Sequence, residues 1–106
     1  MTEQEVTNYF KKLLIQSKLP VNCAYLFGSR AKKNATADSD WDFLVVLEER
    51  KKIADLHKAK VRLRMKFHDR CPYPIDIVIK NKTVFGKEKL IPNTVSFNAA
   101  REGLLL

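Results

Sequence analysis

The chain has 106 residues, 45% of them hydrophobic and 30% charged, with three glycines and four prolines. That length suits one domain, residues 1–106, and buries enough of its surface to fold without disulfides or a structural metal. Twenty Lys and Arg against twelve Asp and Glu give a formal charge of +8 spread among apolar residues, which excludes disorder and implies an anionic partner without choosing one. No apolar run approaches the ~18 residues of a membrane span. Acidic Glu3 and Glu5 stand where a secretory signal needs bases, so a cytoplasmic protein away from the membrane is expected. Cys23 and Cys71 form no C-x-x-C pair and complete no zinc pattern with His57 and His68, so both are expected as free, buried thiols.

In chain order, Thr2-x-x-Glu5 is a capping box. Val6, Tyr9, Phe10, Leu13 and Leu14 follow at helical spacing and predict a first helix that stops near Ser17, ahead of Pro20. Residues 22–27 read as a short buried strand stopped by Gly28, residues 29–33 as a helical turn, and Asn34 to Ser39 as a polar loop. Trp41 to Glu48, rich in Val and aromatics, is the clearest strand. Arg50 to Phe67 predicts a long helix with Ile53, Leu56, Ala59 or Lys60, Leu63 and Phe67 on its apolar stripe, broken by Cys71-Pro72-Tyr73-Pro74. Ile75 to Ile79 forms a third strand, and Asn93 or Thr94 to Glu102 a last helix closed by Gly103. Leu104-Leu105-Leu106 reads as an edge strand, while residues 81–92 carry no decisive pattern. Strands alternating with helices predict an α/β (α+β) fold, a small mixed sheet flanked by helices.

Three features along this frame carry chemistry. Asp40 and Asp42, two apart at a strand start, aim to one side, with Trp41 turned to the core. Asp76 lies between Ile75 and Ile77 in a strand that reads as buried, where a carboxylate is costly unless paired or bound to a cation. If the third strand lies beside the second, all three carboxylates converge, and oxygen donors without His or Cys suit Mg²⁺ or Mn²⁺. Gly28-Ser29 offers close backbone approach, free N–H groups and a hydroxyl for phosphate, with Arg30, Lys32 and Lys33 bringing positive charge to the same place. Alone, a Gly-Ser pair is usually a turn and a D-x-D a solvated strand start. Their joint appearance on successive strands is what points to phosphoryl or nucleotidyl transfer.

The stretch Leu26-Phe27-Gly28-Ser29-Arg30-Ala31, followed by Ser39-Asp40-Trp41-Asp42-Phe43-Leu44-Val45-Val46, resembles the Gly-Ser, ten residues, Asp-x-Asp signature of the minimal nucleotidyltransferases of the DNA polymerase beta superfamily. The ending Arg101-Glu102-Gly103-Leu104-Leu105-Leu106 is similar to that family's as well. The resemblance implies that Gly28 and Ser29, with Arg30 beside them, hold the phosphates of ATP or another NTP. It implies that Asp40 and Asp42 bind two Mg²⁺ ions, and that Asp76 shares the catalytic one and helps deprotonate the acceptor hydroxyl. It further implies a HEPN-type helical partner in a toxin–antitoxin pair, with AMP moved onto that partner. The family usually has glycine where Lys33 stands and a small aliphatic residue where Trp41 stands.

A chain this short has a nucleotide site but no second domain to shape a small-molecule pocket, which favours an acceptor on a partner protein. The alternatives are transfer to a small molecule such as an antibiotic, with a homodimer completing the pocket, and a non-catalytic partner-binding module. Lys51, Lys58, Arg62 and Lys66, with Lys60 and Arg64, load the predicted long helix with charge. No aromatic residue interleaves with them to stack on bases, so a solvated helix face is favoured over a nucleic-acid surface.

Overall fold

Thr2 caps the first helix, α1 (Glu3–Ser17): its hydroxyl accepts from the Glu5 N–H at 3.1 Å, and the Glu5 carboxylate accepts from the Thr2 N–H at 3.2 Å. Hydrogen bonding to the carboxylate from the Thr2 N–H, and then from the Thr2 side chain, holds the Glu5 carboxyl below its ordinary pKa. Lys18, in the left-handed region at φ 60°, ends the helix, and the chain turns through Leu19-Pro20 into the sheet. The computed structural model describes residues 1–106. After α1 come β1 (Val21–Phe27), β2 (Trp41–Leu47), α2 (Ile53–His68), β3 (Ile75–Asn81), α3 (Lys82–Glu88), α4 (Val95–Glu102) and β4 (Leu104–Leu105).

The strands form one mixed sheet in the order β3-β2-β1-β4, with β1 antiparallel to β2 and β4, and β2 parallel to β3. Side chains alternate across it. Trp41, Phe43, Val45 and Leu47 of β2 turn to one face with Ala24, Leu26, Ile77 and Ile79, and α1 and α2 cover that face with Val6, Phe10, Leu13, Leu14, Leu63 and Phe67. Phe10 stacks on Phe43 with ring centroids 3.8 Å apart, which locks α1 to the centre of the sheet. On the other face Leu44 and Val46 meet Phe85 of α3 and Ala99 of α4. Because both faces are covered, Phe43 to Leu47 is an unbroken apolar run rather than an alternating one.

The expected elements are present, with three differences. The long helix starts at Ile53 rather than Arg50, and Ile53 is 85% exposed instead of lying on the apolar stripe. Residues 51–55 are all exposed, so the first turn of α2 lies outside the packed layer, and burial begins only with Leu56 and Ala59. Residues 29–33 make the expected helical turn, the Gly28 carbonyl accepting from the Lys32 N–H four residues on, but it then widens, the Ser29 carbonyl accepting from the Asn34 N–H five residues on, each at 3.2 Å. The undecided stretch 81–92 holds α3, capped by the Asn81 side chain accepting from the Val84 N–H at 2.9 Å. Gly103 closes α4 as expected, pressed so tightly that a Cβ there would overlap the Ala99 carbonyl oxygen and stand 3.0 Å from that of Leu26. Both cysteines are free thiols, with Cys71 buried, Cys23 half-buried, and burial pushing both above their ordinary pKa.

Candidate active site

The register of β2 on β3 pairs Asp42 directly with Asp76, and that of β1 on β2 pairs Asp42 with Phe27. All three side chains leave the sheet on the α3/α4 face. One step further along the strands, Leu44 and Val78 are covered by Phe85 and Val95, but no helix covers the ends where the aspartates stand. Asp42 is therefore half-buried. Asp76 is exposed, contrary to the expectation of a buried carboxylate. Its apolar neighbours Ile75 and Ile77 serve the opposite face, so Asp76 carries no large desolvation cost, and its retention cannot be argued from that cost.

Asp40 precedes β2 and is exposed. Partial burial raises the Asp42 carboxyl above its ordinary pKa, and the negative charges of Asp76 and Asp40 raise it further, so all three carboxylates act on one point. They do not close around it: no three His, Cys, Asp or Glu side chains are arranged to hold a metal ion as they stand.

Gly28 supplies the other half of the site. Its φ of 75° lies in the left-handed region, and a Cβ at this position would overlap Oδ2 of Asp42. The backbone thus passes against the carboxylate with no side chain between them, in a conformation glycine adopts without strain. Beyond it, the N–H groups of Ser29 and Arg30 donate to no backbone carbonyl. Oxygen donors, an open cradle and free N–H groups fit a hard divalent cation carried with phosphates.

The structure does not bring Arg30 to this group. Its guanidinium lies on the opposite side of the sheet, 4.6 Å from the centre of the Trp41 ring and 5.9 Å from that of Tyr73. There it donates to the Ser39 carbonyl at 3.0 Å and, at 3.5 Å, to that of Ala37, while Glu3 stands 3.9 Å away. Arg30 Nε and Trp41 Nε1, both buried, have no hydrogen-bond partner. The side chain is 11% exposed and spends its charge on the loop that leads to Asp40 rather than on a ligand.

Lys32 and Lys33 are likewise engaged, with Glu102 at 3.0 Å and Glu3 at 3.2 Å. Lys33 adopts φ 63°, so the left-handed turn where the resembled family usually has glycine is kept by a lysine. Sequence reasoning missed the Arg30–Trp41 stack. Its signal is the pairing of an arginine just after the Gly-Ser turn with an aromatic residue between the two aspartates.

A family profile described as "Polymerase beta, Nucleotidyltransferase" matches residues 7–101. Among curated proteins no match is found. Solved structures share the fold. A toxin–antitoxin complex with AMP-PNP contains a chain that superposes with TM-score 0.65 at 20% identity, covering 92% of this chain and 69% of that one. A complex of tri-AMPylated Shewanella oneidensis HEPN toxin with MNT antitoxin gives 0.61 at 19% identity, over 98% and 71%. A candidate minimal nucleotidyltransferase gives 0.60 at 24% identity, over 100% and 97%. At these identities the likeness to the solved structures is one of fold.

Proposed function

The chain belongs to the polymerase beta nucleotidyltransferase family, and from that membership we propose that it moves AMP from ATP onto a hydroxyl of a partner protein, as the antitoxin half of a toxin–antitoxin pair. The observation that carries the reading is the juxtaposition of Gly28, Asp42 and Asp76: a glycine backbone bare on the side of one carboxylate, and a second aspartate in register beside that one. The donor and partner are supported by fold neighbours that are a toxin–antitoxin complex with AMP-PNP and an AMPylated HEPN toxin bound to MNT antitoxin.

In this reading the turn at Gly28-Ser29 binds the phosphates. Glycine permits the approach, and the Ser29 hydroxyl with the free N–H groups of Ser29 and Arg30 donates to phosphate oxygens. Asp42 and Asp76, joined by Asp40, would hold Mg²⁺ (or Mn²⁺) together with those oxygens; when bound, the ion neutralises the charge that gathers on the transferring phosphate. Asp76, exposed at the sheet's end, faces the incoming acceptor. Its carboxylate takes the proton as the hydroxyl oxygen bonds to the α-phosphorus and the α–β bridging bond breaks, releasing pyrophosphate. Arg30 acts at one remove, holding the 33–39 loop so that Asp40 meets the other two carboxylates.

The test is transfer of label from α-labelled ATP to a co-expressed HEPN-type partner. Wild type should label it, while Asp42→Asn and Asp76→Asn should lower labelling by orders of magnitude with complex formation intact. Full neutralisation of the partner by both variants, with no label on it in wild type, would overturn the reading in favour of a binding module.

A further inference from the structure

The chain's charge is not evenly spread. Residues 50–70 carry nine Lys and Arg against Asp55 and Asp69, a net +7 of the total +8, while the other 85 residues carry eleven against ten. None of the nine is ion-paired, whereas five of the eleven outside the segment, Arg30, Lys32, Lys33, Lys80 and Lys82, meet a carboxylate within 3.9 Å. A merely solvated helix face would interleave acids four residues from its bases. In α2 the pairs Lys58–Arg62, Arg62–Lys66 and Lys60–Arg64 set like charges at that spacing instead, and the helix's one acid, Asp55, lies in its first turn. Such pairs weaken a helix on its own, and a polyanion relieves them.

Geometry adds a track. Lys58, Arg62 and Lys66 are exposed and rise along one stripe of α2 in steps of about 6 Å. Beside them a shallow cavity of about 120 Å³ opens between α1 and α2, lined by Gln16, Ser17, Arg62, Leu63 and Lys66. One strand of nucleic acid advances ~3.4 Å per phosphate, so the stripe spans roughly four phosphates. α2 exposes no Phe, Tyr or Trp for base stacking, and its exposed apolar side chains beyond the first turn are Val61, at 38%, and Met65, at 66%. The Lys58–Arg62–Lys66 stripe itself therefore offers no stacking platform, only a row of cations of fixed spacing.

We infer that this face of α2, with the α1/α2 crevice, binds the phosphodiester backbone of a nucleic acid without sequence preference. It lies across the sheet from Asp42, on the layer formed by α1 and α2, so the inference goes beyond the transferase reading and does not rest on it.

Fluorescence anisotropy with labelled 20-residue RNA and DNA of random sequence, single- and double-stranded, tests it and ranks the possible sources of the backbone. Between 50 and 200 mM salt, three phosphate contacts on a duplex should cost roughly 40-fold in affinity. The triple reversal Lys58→Glu/Arg62→Glu/Lys66→Glu, with folding checked by circular dichroism, should weaken binding at 50 mM salt by about tenfold or more and flatten the salt slope by nearly three. Asp42→Asn should bind as wild type does, which separates failure here from failure of the transferase reading. Three outcomes would overturn the inference: no binding of any probe at 50 mM salt, an equal loss from the matched reversal Lys11→Glu/Lys87→Glu/Lys89→Glu, or equal affinity for a polyglutamate peptide, which would make this an acidic-protein surface.

Discussion

The Asp42 carboxylate occupies the space into which a side chain at Gly28 would grow. A residue of the turn after β1 and a residue of β2 thus exclude one another's bulk, and the turn's left-handed φ of 75° reinforces the requirement for glycine. Gly28→Ala should cost about 2 kcal/mol, combining left-handed strain with displacement of the carboxylate. For a domain of this size that lowers Tm by roughly 10 °C. In the double variant Gly28→Ala/Asp42→Ala the collision is gone and only the φ cost remains. The cycle should show a coupling of about 1 kcal/mol by urea denaturation; strict additivity would mean the two residues do not press on each other.

Asp42 also fixes a pH dependence. Its pKa is raised in the folded chain above the ordinary 3.8, chiefly by burial and then by Asp76 and Asp40, so the folded state binds this proton more tightly than the unfolded state. The associated stability is complete below the ordinary value and is lost as pH rises through the folded pKa. In EDTA, Asp42→Asn should therefore unfold at a higher temperature than wild type at pH 7 and at the same temperature near pH 3. Thermal unfolding followed by the single tryptophan, Trp41, reads this directly, and a variant less stable than wild type at pH 7 would refute it.

Mg²⁺ alone should shift Tm little, because carboxylates that do not close around one point hold the ion only jointly with phosphate oxygens. ATP and Mg²⁺ together should stabilise by about 2.7 kcal/mol at a hundredfold excess over Kd. Differential scanning fluorimetry with each alone and both together checks this; equal shifts by ATP with and without Mg²⁺ would count against a carboxylate-held ion.

Arg30→Lys should cost about 1.5–3 kcal/mol, since a lysine cannot reproduce the planar stack on Trp41 while donating to the Ser39 carbonyl. The loop from residue 34 to 39 should become the first site of protease cleavage. Unchanged denaturation and digestion would show that the guanidinium anchors nothing.

Much of this was legible because local and long-range signals agreed. The Thr2–Glu5 box and the Gly103 stop marked helix ends, and the two-residue alternation of β2 put Asp42 and Trp41 on opposite faces. The parallel register that pairs Asp42 with Asp76 was expected only as a condition, because pairing depends on the crossover and not on either strand alone. Asp76 misled because a strand buried on one face looks buried on both when its neighbours are isoleucines. Arg30 misled because proximity in sequence to Gly28-Ser29 does not say to which side of the sheet a side chain turns. In α3, the β-branched Thr83 and Val84 and the interior Gly86 hid a helix that tertiary contact through Phe85 sustains.

The sheet's two faces hold unequal shares of the core: sixteen buried residues gather on the α1/α2 side and four on the α3/α4 side. Opening free energy follows the apolar surface each layer surrenders, so α3 and α4 detach in excursions that leave α1, α2 and the strands intact. Their amides should exchange fastest among the helices, which native-state hydrogen exchange would read. The aspartates are rooted in strands that belong to the slow half, at the end of the face that the fast half leaves uncovered. Breathing of α3 and α4 should therefore leave the pairing of Asp42 with Asp76 undisturbed.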